Sequence, residues 1–395
     1  MNVDDLKLLL TREGLQLVDA ASALLDAGTE PLAIVSKLRS TAPPELVTVA
    51  MTQANLRKKA AGKFGDFAAS MLFTTAGLEQ ATRLRVAALH AGRFERAGLT
   101  RVADLGCGIG ADSLAMSSLG LHVTAVDRDE VTAAIASFNI APFPDSTVSL
   151  GNAEDFDATT VDAIWLDPAR RDGAGKRSHD FNDWSPSLET VFAFARDRPI
   201  GVKLGPGVDR SVIPEDMEAQ WVSVGGDVVE LTLWSGSLAR EGIRRSALVL
   251  GEHAHELTGA DDSADVEVRE LGQYLYEPDG AVIRARLIGE LARQLEAGMV
   301  SESIAYLTGD SATATPFATR FVVEEVLPLD VRSIAKTLRA RDIGRLEIKK
   351  RGSDHDPAEF RKKLGLKGSK QATLFLTRIA GRHRAILAHR DEDGA

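Results

Sequence analysis

A chain of 395 residues with 44% hydrophobic and 26% charged side chains has a globular composition and enough length for more than one core. No apolar run approaches the roughly 18 residues that cross a bilayer, the opening MNVDDLKLLL carries acids where a secretory signal needs positive charge, and Cys107 is the only cysteine, which excludes disulfides and thiolate metal sites. A cytoplasmic protein with no membrane contact and no metal is expected. The net charge of −10 is uneven: residues 331–395 hold 17 Lys+Arg against 8 Asp+Glu, so a basic tail follows an acidic body and suits a polyanionic partner.

Residues 1–85 place Leu and Ala at helical spacing, with Gly28 and Pro43-Pro44 as punctuation, and read as a bundle of short helices. Residues 86–250 alternate helical stretches with short apolar runs at 101–105, 121–126, 147–150, 162–166, 199–204, 220–224, 228–234 and 246–250. That alternation predicts βαβ units and a mostly parallel sheet, closing in an antiparallel hairpin where intervening helices stop. The polar stretch 251–268 reads as a linker or long hairpin. Residues 269–395 mix helices (281–297, 331–340, 357–364) with strands (346–350, 372–378, 383–389), an α+β module.

Chemistry concentrates at the ends of the expected strands. RVADLGCGIGAD (101–112) is a strand, a turn with Gly106, Gly108 and Gly110, and a helix start. Alternate glycines let the backbone turn tightly and approach a ligand. Nicotinamide and flavin sites share such turns, but the spacing here is GxGxG rather than GxGxxG, with Asp104 inside the strand end. The next strand, LHVTAVD, ends at Asp127, placed to accept both hydroxyls of a ribose, and GNAEDF then brings Asn152 and Ala153 to the edge of an adenine. The fourth strand exits into AIWLDPARRDGAGKR, 163–177. Asp167 and Pro168 sit at its tip, and Arg170, Arg171, Lys176 and Arg177 follow in a loop that is either a plain surface turn or a catalytic loop facing a polyanion.

These successive motifs resemble those of class I S-adenosylmethionine-dependent methyltransferases over roughly 85–250. The resemblance implies a Rossmann-like α/β core, S-adenosyl-L-methionine as cofactor, and a cofactor site at Asp104, Gly106, Gly108, Gly110, Asp127, Asn152 and Ala153. The fourth-strand tip is similar to the (D/N)PP-aromatic motif of amino-methylating enzymes, which implies catalytic roles for Asp167, Pro168 and Arg170. Ala169 replaces the second proline and Arg170 the aromatic, so a guanidinium plane stands where a ring would stack. Phe181 and Trp184 lie downstream as other candidate rings, and VKLGPGVD (202–209) is expected to shape the pocket floor. Methylation of a pyrimidine C5 needs a nucleophilic cysteine, whereas Cys107 lies inside the glycine turn as a packing residue, so transfer to a nitrogen is the expected chemistry.

The basic, then amphipathic leader 57–82 and the segments LGQYLYEPDGAVIRA, AYLTGD and LEIKKRGSDHDPAEFRKKLGLKG resemble bacterial methyltransferases with a THUMP-like C-terminal domain. That resemblance implies an RNA partner, tRNA or rRNA, with Arg171, Lys176, Arg177, Lys349, Lys350 and Lys362 as substrate contacts. The alternatives are a small-molecule methyltransferase and an RNA-binding protein with an inactive methyltransferase core. A dedicated basic tail disfavours the first, and intact cofactor motifs disfavour the second.

Overall fold

The structure is a computed structural model that describes residues 1–168 and 184–391. By internal contacts the chain forms two units, Met1–Lys203 with Trp234–Leu238, and Leu204–Leu233 with Ala239–Ala395.

The first unit begins with α1 (Val3–Leu9), α2 (Arg12–Asp26), α3 (Pro31–Leu38), α4 (Pro44–Phe64), α5 (Thr75–Gln80) and α6 (Leu84–Arg96). Local chemistry sets their ends. Asn2 and Asp5 close a reciprocal capping box on α1, while the Thr11 and Thr74 hydroxyls accept from backbone N–H groups at the starts of α2 and α5. Pro44 opens α4, where the N–H it lacks has no intrahelical partner in any case. The apolar stripes of α2, α3 and α4 meet in a core of Val18, Ala21, Ile34, Val47 and Ala50.

Five strands follow: β1 (Arg101–Leu105), β2 (His122–Asp127), β3 (Thr147–Leu150), β4 (Ala163–Leu166) and β5 (Ile200–Leu204). All are parallel, side by side in the order β3-β2-β1-β4-β5. Helix α7 (Ala111–Ser118) links β1 to β2, α8 (Glu130–Ile140) links β2 to β3, and α9 (Leu188–Phe194) precedes β5. The strand order reverses between β1 and β4, so a crevice opens at their carboxyl ends, where open α/β sheets bind ligands. Register keeps the tips level: Leu105 pairs with Val126 on one side and Leu166 on the other, and Asp127 pairs with Leu150.

An aromatic cluster anchors this sheet from behind the tips. The Trp165 and Trp234 rings lie 5.7 Å apart, with His90 4.4 Å from Trp165 and Phe94 6.0 Å from Trp234. Gly201 makes room for it, since a Cβ there would stand 2.7 Å from carbons of both indoles. Gly201→Ala is therefore expected to lower stability by about 1–3 kcal/mol, the cost of overpacking a filled core. Urea denaturation measures this, and an unchanged midpoint would show that the indoles yield freely.

The second unit opens with β6 (Glu218–Val224) and β7 (Asp227–Trp234), joined by Gly225 and Gly226 at φ +61° and +90°, the backbone a two-residue hairpin turn requires. Strand β8 (Arg245–Leu250) pairs antiparallel with β9 (Ala254–Gly259), so the stretch expected as a linker or long hairpin is a hairpin as far as Gly259, while β8 runs parallel to β6. A second sheet has the order β11-β12-β10-β13-β16-β15-β14. Its strands are β10 (Tyr274–Pro278), β11 (Gly298–Met299), β12 (Leu307–Gly309), β13 (Ala318–Pro328), β14 (Ile343–Lys350), β15 (Lys370–Ile379) and β16 (Arg382–Arg390). The helix expected over 281–297 is two, α10 (Gly280–Arg284) and α11 (Ile288–Gln294), broken where Arg286 turns to φ +58°. Helices α12 (Val331–Ala340) and α13 (Pro357–Leu364) cover the sheet through Ile334, Leu338, Phe360 and Leu364.

Candidate active site

The first unit gathers the sequence-identified residues at the tips of β1 to β4. Gly106, Gly108 and Gly110 adopt φ +82°, +57° and +81°, a left-handed series that side chains resist. The N–H groups of Gly106 and Cys107 both donate to the Val126 carbonyl, at 2.9 and 3.1 Å, which fastens the turn to the end of β2. A Cβ on Gly106 would lie 3.1 Å from the main-chain oxygen of Asp167, so the turn and the tip of β4 touch backbone to backbone. A Cβ on Gly108 would meet nothing within 4 Å among the described residues, which leave that face of the turn open to a ligand.

Asp127 ends β2 with its carboxylate fixed by two backbone donors, Gly108 to Oδ2 at 3.0 Å and Asp129 to Oδ1 at 2.9 Å. Each oxygen keeps a further lone pair, enough for a pair of sugar hydroxyls. Burial raises its pKa above the usual carboxylate range, partly countered by those two donors. Asn152 follows β3 and donates to Asp155 at 3.1 Å, and the buried Ala153 opens a short 3-10 turn.

Asp104 is buried at the end of β1. Its Oδ2 accepts the Ser113 hydroxyl at 2.5 Å, and its Oδ1 has no hydrogen-bond partner among the described residues. Burial, then the neighbouring Asp112 charge, push this carboxyl up to about 8. An orphaned buried carboxyl oxygen, an open glycine face and an oriented acid at the second strand tip together fit an adenosine that carries a polar amino-acid tail. Cys107 supplies no nucleophile, because burial and then the charges of Asp104 and Asp127 push its thiol far up and keep it protonated.

The leader segment packs directly on this turn. Asn139 of α8 accepts from Leu72 N–H at 2.8 Å and donates to the carbonyls of Leu72 at 3.0 Å and Ile109 at 2.8 Å, stitching leader, helix and glycine turn together. From the other side, Gln53 of α4 exchanges two hydrogen bonds with the Phe73 main chain and Arg57 donates to the Met71 carbonyl at 2.9 Å. Lys63 donates to the carbonyls of Leu78, Glu79 and Ala81 at 2.7, 2.8 and 3.0 Å. Its burial, then the charges of Arg83 and Lys203, lower its pKa to about 8.

At the tip of β4, Asp167 Oδ2 lies 2.5 Å from Lys203 Nζ on β5. Sequence reading did not single out Lys203, although a lysine inside the apolar run IGVKL was a usable signal. It also missed Thr82, His90, Asp112 and Asn139, whose partners lie 22 to 121 residues away in the chain. Arg170, Arg171, Lys176, Arg177 and Phe181 lie outside the described residues. Trp184 is buried, which makes it a packing residue rather than an offered ring. In the second unit, Lys350 and Lys362 are exposed, whereas Lys349 is engaged in ion pairs. Its ammonium is held by Glu277 at 2.6 Å and Glu347 at 3.2 Å, and the side chain is only 20% exposed.

Residues 318–390 match a family model described as THUMP domain-like, and residues 2–60 match a domain of unknown function, DUF8688. Two proteins of Mycobacterium tuberculosis, from strains CDC 1551 / Oshkosh and ATCC 25618 / H37Rv, are described as uncharacterized S-adenosylmethionine-dependent methyltransferases. Each is 35% identical over 333 residues, covering 82% of this chain and 90% of its own. A crystal structure from Porphyromonas gingivalis W83, provisionally named a methyltransferase, shares the fold with a TM-score of 0.76 at 21% identity, over 96% of this chain and 99% of the other.

The fold and site therefore define a class I methyltransferase: a Rossmann-like core with N-terminal helices and a THUMP-like C-terminal module. The chain belongs to the S-adenosylmethionine-dependent methyltransferase family, and S-adenosylmethionine is its cofactor.

Proposed function

We propose that this enzyme is a cytoplasmic RNA methyltransferase that transfers one methyl group to a base nitrogen of tRNA or rRNA. In this reading 86–250 forms the cofactor-binding segment and 269–395 the RNA-binding one. The observation that carries the chemistry is the Asp167-Pro168 pair at the tip of β4, in main-chain contact with the glycine turn. An acid there stands within reach of a nitrogen presented to the cofactor's methyl. When bound, S-adenosylmethionine supplies an electrophilic methyl carbon on a sulfonium. Asp167 accepts a hydrogen bond from the attacking N–H, which aims the nitrogen lone pair and leaves a carboxylate to receive the proton released after transfer. Asp127 holds the ribose, Asp104 and the turn at Gly106, Gly108 and Gly110 hold the amino-acid end, and Asn152 and Ala153 flank the adenine. Arg170, Arg171, Lys176 and Arg177 belong to this reading as contacts to the RNA.

The RNA assignment is supported by the THUMP-like match over 318–390 and by exposed cations on that module, Lys350, Arg361, Lys362 and Lys363. Phosphate contacts of this kind release condensed counterions, so affinity should fall steeply with salt. Reversing Lys350 and Lys362 to Glu is expected to weaken RNA binding and to flatten the slope of log affinity against log salt by about 0.7–0.9 per lost contact. Cofactor affinity should stay intact. Filter binding across a salt series measures both, and affinity that ignores salt would remove RNA as the partner of this module.

A further inference from the structure

Lys203 occupies a position that the cofactor motifs do not explain. Its side chain is 12% exposed, and its ammonium lies 2.5 Å from Asp167 Oδ2 and 2.9 Å from Thr82 Oγ1. Thr82 Oγ1 is in turn 2.6 Å from Asp112 Oδ2, and Asp112 Oδ1 is 2.9 Å from His90 Nδ1. Directions along this chain of side chains are forced. An ammonium only donates, so the Thr82 hydroxyl accepts from Lys203 and turns its single hydrogen toward Asp112. Burial alone would raise the Asp112 pKa, but His90, Lys203 and Thr82 together hold it below the usual range. An ionised Asp112 accepts from both neighbours, so Nδ1 of His90 carries a hydrogen. The imidazole is fixed by Trp165, 4.4 Å away in the aromatic cluster. A rigid relay thus runs from the core, through the stretch joining α5 and α6, to the tip of β4.

Charge gives the relay a purpose. The charges of Asp112 and Asp167 both act to raise Asp104, while Lys203 opposes them. A carboxyl in such company takes up a proton unless a cation sits against it. A protonated Asp167 would carry a hydrogen of its own and lose acceptor strength toward a substrate N–H.

We propose that Lys203 is the positioning residue for methyl transfer: aimed by Thr82, its ammonium holds Asp167 ionised and fixed, so that the carboxylate can orient the substrate nitrogen. This rests on the reading of Asp167 as that acceptor.

The test uses the full-length protein with Lys203→Met, Lys203→Arg and Thr82→Val. Calorimetric titration with S-adenosylhomocysteine should give near wild-type affinity for all three. Single-turnover transfer from S-adenosylmethionine to RNA from a strain lacking the enzyme is then followed against pH. Lys203→Met is expected to slow transfer by about 100-fold. It should also move the acid limb of the profile upward by about one pH unit or more, because Asp167 has lost its counter-ion. Lys203→Arg should return the limb to its place with part of the rate, and Thr82→Val should slow transfer less than Lys203→Met. A Lys203→Met enzyme that binds the cofactor and matches the wild type in rate and acid limb overturns the proposal.

A second arm needs no RNA. Without Lys203 the carboxylates that face it, Asp167 with Asp104 and Asp112, are harder to ionise in the folded chain than in the unfolded one, so stability is lost as pH rises above the ordinary carboxylate range. Lys203→Met should therefore melt progressively further below the wild type as pH rises above about 4, and adding Asp167→Asn should reduce that slope. If the wild type methylates no RNA yet this slope appears, the RNA reading fails and the hold of Lys203 on Asp167 stands. Absence of the slope overturns the proposal.

Discussion

Asp167→Ala is expected to bind S-adenosylhomocysteine like the wild type and to transfer methyl groups ~10²- to 10⁴-fold more slowly, the range for a positioned side chain that handles a proton in the transition state. The separation of the two effects follows from geometry. The glycine turn meets Asp167 at its main chain, which alanine keeps, while the carboxylate is directed to Lys203 at 2.5 Å. Removing the carboxylate leaves a mostly buried ammonium short of an acceptor, so some loss of stability accompanies the change. Asp167→Asn separates the two contributions: its amide oxygen can still accept from Lys203, yet it carries no charge to orient or receive a proton. Both variants should fail in single-turnover assays, with the asparagine variant closer to the wild type in melting temperature. An alanine variant that binds cofactor and methylates at the wild-type rate would remove Asp167 from the chemistry.

Asp127→Ala should act on the cofactor alone. The carboxylate is held rigid by Gly108 and Asp129 N–H groups, so no reorganisation is needed when sugar hydroxyls donate to it. Losing a charged acceptor costs about 1.5–3 kcal/mol, which is roughly a 10- to 150-fold weakening of S-adenosylmethionine and S-adenosylhomocysteine alike. Calorimetry reads this directly, and equal affinity in wild type and variant would place the ribose elsewhere. The variant should still transfer methyl groups once cofactor is saturating, because Asp127 holds the adenosine end and not the reacting nitrogen.

The parts of this site that were legible in the sequence are those fixed by consecutive residues. A left-handed turn needs glycine at Gly106, Gly108 and Gly110, and period and punctuation then place Asp127 and Asp167 at strand ends. The relay was not legible for the opposite reason. Lys203 and Thr82 are 121 residues apart, and their meeting depends on strand order and register that no local pattern encodes. Strand β13 escaped notice because a bulge between Val323 and Glu325 breaks its alternation and places Glu324 and Glu325 beside each other. Those acids are paired with Arg341 from another element, so the charges look like loop residues until the sheet is assembled. Lys349 shows a related limit: in sequence it belongs to a basic run, while strand position pairs it with Glu277. Charge alone shows how many cations a segment has, and register decides which of them face solvent.

Nucleoside mass spectrometry of tRNA and rRNA from a deletion strain shows whether the methyl acceptor is a nitrogen of an RNA base. One N-methylated nucleoside is expected to be missing or depleted, restored when purified wild-type enzyme and S-adenosylmethionine are added, and not restored by Asp167→Ala. An unchanged nucleoside profile, together with methyl transfer by the same enzyme to a small metabolite, would contradict RNA as the acceptor.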